Sequence, residues 1–203
     1  MPLSQTAETL GIDLAGLATM IFLWRREAAA DERSMAMISR EERLGELQVE
    51  LSSGKLAKMK DLREMCRPVI VAGSAEDVVA ALEEAESADM RAGLESKSVL
   101  VVPMVLAADG SGRPGPQIEA GGDENLRWRV TPILAERWAD WVTEQMRMAK
   151  VAEGRPVWLS LRADGRIRAS GVGAAPWARM AAELAPMDSK LAGFDGSMSG
   201  PFV

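Results

Sequence analysis

Leu47, Val49 and Leu51 alternate with polar positions, a period of two that predicts a strand. Ser52-Ser53-Gly54 supplies a turn, and Leu56 and Met59 follow on a second short segment, so the spacing predicts a hairpin. Residues 61–66 suit a helical turn. Pro68 then opens Val69-Ile70-Val71-Ala72, a run with no polar residue. Such a strand belongs in a parallel sheet covered on both faces. Gly73 and Ser74 end it, and Ser74 with Asp77 makes an N-cap arrangement. The next helix is expected to reach about residue 92, with Val78, Ala81, Leu82 and Ala85 on one face. Val99-Leu100-Val101-Val102-Pro103-Met104-Val105 is a second apolar strand. Pro103 has no N–H to donate, which puts this strand near an edge or at a bulge.

Residues 107–126 hold five glycines and two prolines and predict a long irregular loop. No nucleotide-cradling glycine pattern occurs in it. Thr131 as cap and Pro132 at the first helical position predict the next helix, with Leu134, Trp138, Trp141, Val142 and Met148 as its apolar stripe. Val157, Leu159 and Leu161 then alternate with Trp158, Ser160 and Arg162. Asp164-Gly165 is a hairpin turn, Ile167 and Ala169 lie on the returning strand, and Gly171-Val172-Gly173 ends it. A final helix over about 175–185 carries Trp177, Met180, Ala181 and Leu184.

The first residues read differently. Residues 5–33 predict one long helix, with an apolar stretch from Leu10 to Trp24 closed by Arg25 and Arg26. The stretch is 15 residues long and contains Asp13, whereas a spanning helix needs about 20 apolar residues. No Lys or Arg precedes it, so it lacks the charged start of a secretory signal, and no transit peptide is evident. Three readings stay open: a helix docked on a partner or on its own domain, a short tilted span with Trp24 and the arginines at the interface, or a helix lying in the bilayer surface. If it spans, Arg25 and Arg26 put the rest of the chain on the positive-inside face. Residues 31–46 carry Glu and Arg at helical spacing and suit a solvated connector. The expected organisation is a helical arm over 1–46, an α/β domain over 47–186 and a tail over 187–203.

Composition removes most chemistries. The chain of 203 residues has no His, no Tyr and a single cysteine, Cys66. His-based acid–base catalysis, His metal sites, disulfides within the chain and paired-thiol chemistry are therefore excluded. Cys66 suits a small buried apolar residue. Arg63 and Arg67 stand near it in sequence, but a reactive thiol lacks a resolving partner here. The net charge of −6 argues against nucleic-acid binding, which needs clustered excess cation. No cofactor or metal is expected.

The order strand–helix–strand, helix, strand–strand–helix resembles a thioredoxin-like fold, in the form with an N-terminal hairpin found in membrane-anchored thiol reductases and peroxiredoxins. The resemblance covers about residues 47–185 and is strongest over Gly154-Arg155-Pro156-Val157-Trp158-Leu159-Ser160-Leu161-Arg162-Ala163-Asp164-Gly165-Arg166-Ile167. It implies a cis-proline at Pro156. It also implies that the family's paired thiols would fall near Ser74 and Asp77, and neither is a thiol. Ser74, Asp77, Pro156, Asp164 and Gly165 are thus fold-defining positions without the family's reaction.

A closer similarity is to the low photosystem II accumulation proteins of oxygenic phototrophs. It is carried by Phe22-Leu23-Trp24-Arg25-Arg26-Glu27, Ile38-Ser39-Arg40-Glu41-Glu42-Arg43-Leu44, Arg67-Pro68-Val69-Ile70-Val71-Ala72-Gly73, Val99-Leu100-Val101-Val102-Pro103, Leu161-Arg162-Ala163-Asp164-Gly165-Arg166-Ile167-Arg168-Ala169-Ser170-Gly171 and Pro176-Trp177. It covers about residues 20–190. Plant members carry tetratricopeptide helices upstream, and no 34-residue repeat occurs here.

The similarity implies a non-catalytic protein on the stromal side of chloroplast thylakoids that binds photosystem subunits, as assembly factor or accessory subunit. Expected partner-binding residues are Leu17, Ile21, Trp24, Arg25 and Arg26 in the arm, and Arg162, Arg166 and Arg168, with Arg155, in the last hairpin. Trp138, Trp141, Trp158 or Trp177 would anchor a partner where exposed. Pigment or lipid contact through residues 10–24 is compatible with this reading. Without His, a chlorophyll would need an oxygen ligand. The alternative is a thiol-dependent oxidoreductase that uses Cys66 alone.

Overall fold

The computed structural model describes residues 38–119 and 127–187, together with Met20 and Arg25. The chain divides into two compact units, residues 1–42 and 43–203. Residues 38–45 are helical, as are Met20 and Arg25, both exposed. Leu17, Ile21, Trp24 and Arg26 lie outside the described residues.

In the larger unit, Leu47, Val49 and Leu51 are all buried, and Gln48–Glu50 forms β1. It pairs antiparallel with β2 (Leu56–Lys58), Val49 facing Ala57. The turn closes where the Gly54 N–H donates to the Leu51 carbonyl at 2.8 Å. A 3₁₀ turn over Met59–Leu62 leads to β3 (Arg67–Gly73). The helix after β3 is two helices, α1 (Ala75–Glu86) and α2 (Ala88–Glu95), rather than one running to residue 92. Ser87 breaks it with an extended ψ of 137°, and its hydroxyl donates back to the Glu84 carbonyl. Next comes β4 (Val99–Val105).

Thr131–Ile133 is a strand, β5, and not the start of a helix. It pairs antiparallel with β1, Pro132 opposite Val49, at the edge of a three-stranded sheet ordered β2-β1-β5. An edge is where a sheet tolerates proline. The helix α3 (Ala135–Met148) begins only after Leu134, which holds a left-handed φ of 56° and gives no side-chain cap. Trp138, Trp141 and Val142 are buried as expected, but Leu134 and Met148 are exposed. The chain ends in β6 (Val157–Leu161), β7 (Ile167–Val172) and α4 (Trp177–Glu183).

The main sheet is ordered β4-β3-β6-β7. β3 and β4 run parallel, and β6 and β7 run antiparallel to their neighbours. A parallel β–α–β pair with its first strand central, a helix, then an antiparallel hairpin and a closing helix make the fold α/β and thioredoxin-like: a central mixed sheet flanked by helices.

Alternate side chains of β3 enter two separate cores. Val69 and Val71 pack with Val78 and Leu82 of α1 and Trp177 of α4. Ile70 and Ala72 pack with Trp138 and Trp141 of α3 and Val49 of the small sheet. Burial on both faces is why the run from Val69 to Ala72 carries no polar residue. The Trp138 indole N–H donates to the Gln48 carbonyl at 2.8 Å, and that of Trp177 to the Ala81 carbonyl at 3.0 Å, so both rings are buried with their polar atom satisfied.

β4 is an edge strand, as Pro103 requires. On its outer side Val101 N–H donates to Trp128 O and Val105 N–H to the Gln117 side chain. Pro103 falls between them at the one outward position without an N–H.

Candidate functional site

Three features meet at the carboxyl end of β3. Ser74 caps α1: its hydroxyl accepts from Asp77 N–H at 3.2 Å and donates to Asp77 Oδ2 at 2.6 Å. Asp77 Oδ2 also accepts from the Ser74 N–H at 3.1 Å, which completes a reciprocal capping box. Pro156 stands against this turn. A Cβ on Gly73 would lie 3.0 Å from Pro156 Cβ and 3.1 Å from Asp77 Cβ, so glycine is the residue that lets strand, helix and proline come together. The Pro156 carbonyl accepts from Gly173 N–H at 2.8 Å and ties in the segment before α4.

The Arg155–Pro156 bond is trans, not the cis bond that the resemblance implied. Trans is the intrinsically favoured isomer, by about 0.5–1 kcal/mol. The proline keeps its place beside the helix start without the isomer.

Cys66 lies at the other end of β3. Seven residues of strand separate it from the Ser74 turn, about 26 Å over eight steps at ~3.3 Å per residue. The thiol is buried in the core, donates to the Leu62 carbonyl at 3.7 Å, and burial pushes its pKa up to about 12. The Arg67 guanidinium is directed to the Lys97 and Ala185 carbonyls, at 2.7 and 2.8 Å.

The arginines expected to face a partner do not form one patch. Arg155 follows Gly154 at the Ser74 end, while Arg162, Arg166 and Arg168 sit at the far hairpin. There Gly165, at φ 84°, makes the turn with its N–H donating to the Arg162 carbonyl at 3.0 Å. Asp164 accepts from Arg166 N–H at 3.0 Å and faces Arg162 Nε at 3.6 Å. Arg162 and Arg168 line an open groove of about 440 Å³ together with Glu64, Asp164 and Glu183, so the charge there is mixed. The tryptophans are not surface anchors: Trp138, Trp141 and Trp177 are buried, and Trp158 is half-buried.

The structure contains a cleft that the reading of the residues did not predict. It opens beside Ser74, beyond the carboxyl ends of β3 and β4, and has a volume of about 290 Å³. Leu106, Met146 and Val151 form apolar walls, and Arg147, Glu153 and Arg155 are its charged residues. The one signal that could have pointed to it was the glycine-rich loop directly after the second parallel strand.

Among the described residues no group of carboxylates and thiols could hold a metal ion, and no helix is long and apolar enough to cross a membrane.

No family model matches the chain. Solved structures with some likeness include the Plasmodium yoelii thioredoxin peroxidase I, 8% identical over 63% of this chain and 74% of that one, at a TM-score of 0.35. A second is Plasmodium yoelii Prx1a, 10% identical over 63% and 75%, at 0.36. A third is the lipoprotein thioredoxin Etrx1 of Streptococcus pneumoniae, 12% identical over 64% and 91%, at 0.35. At those scores the strand order, not the likeness, carries the fold.

Proposed function

We propose that this chain is a docking scaffold on a thioredoxin-like frame, without thiol chemistry of its own, that serves a photosystem at the stromal face of thylakoids as assembly factor or accessory subunit. The observation that carries the first half is the Ser74–Asp77 pair. It stands beside Pro156 where the fold's reaction would need sulfur, and its polar atoms are engaged with each other as a helix cap. The second half rests on the similarity of Arg67 to Gly73, Val99 to Pro103 and Leu161 to Gly171 to the low photosystem II accumulation proteins.

The competing reading is a single-thiol oxidoreductase. Cys66 is ill placed for it: a thiol at about 12 has almost no thiolate at neutral pH, and its end of β3 has no helix N-terminus to stabilise one. An insulin-reduction and peroxidase assay on wild type and Cys66→Ser decides between them. Neither protein is expected to turn over, and activity that disappears with Cys66→Ser overturns the scaffold reading. For the partner, the tagged chain is recovered from mildly solubilised thylakoids and what accompanies it is identified. Photosystem subunits are expected. Recovery only as a free chain overturns the photosystem assignment. Carbonate or salt extraction tests residues 10–24, since release excludes a spanning helix.

A further inference from the structure

We infer that the cleft beyond the carboxyl ends of β3 and β4 receives a partner's peptide segment bearing one large apolar side chain next to a carboxylate. The inference rests on the docking reading and says where and by what chemistry docking occurs.

The position comes from the topology. β3 leads into α1, which covers one face of the sheet, and β4 leads on towards α3, which covers the other. Where successive connections leave to opposite faces, a crevice opens beyond the carboxyl ends of the strands, and open α/β sheets bind ligands there. The cleft at Ser74 and Leu106 is that crevice.

Its size selects the occupant. Small-molecule sites usually run from about 300 to 1,000 Å³. At about 290 Å³ this one suits a single large side chain rather than a dinucleotide or a tetrapyrrole. Leu106, Met146 and Val151 give that side chain an apolar lining.

Charge selects the neighbouring group. Arg147 and Arg155 line the cleft, are exposed, and have no carboxylate partner among the described residues. The positive end of α1 is already answered by Asp77. Glu153 is the one acidic lining residue, and it lies along the wall formed by Gly110, a Cβ on which would be 3.6 Å from its Oε2. Two free guanidiniums against one carboxylate leave a local cationic excess on a chain of net charge −6. An incoming carboxylate can meet a guanidinium in a forked, charge-assisted pair, which a neutral amide cannot reproduce.

The test titrates isotope-labelled full-length protein with a capped hexapeptide whose centre is Leu-Glu and follows amide shifts by NMR. Saturable shifts are expected at Gly110, Gly112, Thr143 and Arg155. Replacing the peptide's Glu by Gln is expected to weaken binding about tenfold, and replacing its Leu by Ser to abolish it. The double variant Arg147→Ala/Arg155→Ala should show the same tenfold loss with an otherwise unchanged spectrum, and Ala107→Phe should block the cleft. Equal binding of the Gln peptide, shifts centred elsewhere, no shift at millimolar peptide, or tighter binding of laurate at the same residues overturns the inference. The thylakoid recovery separates the two readings. If wild type brings down photosystem subunits and the double arginine variant does so equally, the cleft assignment fails and the scaffold stands. If the peptide binds as described and wild type brings nothing down, the cleft stands and the photosystem assignment fails.

Discussion

The two ends of β3 hold different features, a capped helix start beside a proline at one and a thiol at the other. At the carboxyl end, the strand turns into α1 beside Pro156, with partly exposed polar groups at a helix start, and neither Ser74 nor Asp77 is a thiol. At the amino end a thiol is present, but it is packed behind the 3₁₀ turn with its pKa pushed up to about 12. A thiolate forms where a helix N-terminus or a cation offsets the loss of hydration. Neither condition is met at Cys66, and the place that meets one of them holds a hydroxyl. The frame at that cap is built from a hydroxyl, a carboxylate and a proline, and the chain's thiol stands elsewhere.

The largest effect expected from breaking this contrast is in thiol labelling. Ser74→Cys puts a second thiol at the start of α1. At pH 7.5 it should react with a maleimide at the rate of an accessible cysteine, while Cys66 in the same molecule reacts on the order of 10³-fold or more slowly, through global opening. Mass spectrometry of the labelled peptides reads both sites at once. Comparable rates would mean that the Cys66 end opens locally and the contrast is false.

A smaller effect sharpens the claim that the hydroxyl is structural. Ser74→Ala should cost about 1 kcal/mol of unfolding free energy, the usual loss for an N-cap. Urea denaturation measures it. A change near zero would show that the Ser74–Asp77 pair is not holding the helix, and would free it for another role.

The smallest effect concerns acid. Glu46 accepts from Lys58 and Lys60 at 2.7 and 2.6 Å, and these two bonds pull its carboxyl from 4.5 down to about 2. A depressed carboxylate contributes stability above its unfolded pKa and loses it as pH falls through the folded one. The contribution is thus present above about pH 4.5 and gone below about 2. All three side chains are exposed, so the contribution is small. Glu46→Gln should slightly flatten the fall in melting temperature between those two values, and an unaltered acid limb would assign the fall to other carboxylates.

Much of the frame was legible in the residues because the signals were local. An apolar run from Val69 to Ala72 states its own burial on two faces, Asp164-Gly165 states a turn, and Ser74 with Asp77 states a helix start. Trp138 and Trp141 marked the apolar stripe of α3 by their spacing, and burial assigned both to the core. Where local pattern misled, a distant partner had decided. Thr131-Pro132 looks like a helix start in isolation, but β1, some eighty residues upstream, recruits it as an edge strand. The break at Ser87 and the trans bond before Pro156 had no distinguishing local signature either.

The cleft marks the boundary between the two kinds of information. The amino-acid sequence by itself determined that paired-thiol and histidine chemistry are absent and that two doubly covered strands build the centre, because those are properties of residue identity and short-range pattern. Only the tertiary structure decided that Arg147 and Arg155 flank a space beyond the carboxyl ends of β3 and β4, and that the one thiol is stranded a strand's length from the one suitable helix start. Those are relations between residues distant along the chain, and the free energy that sets them comes from packing both faces of the sheet at once.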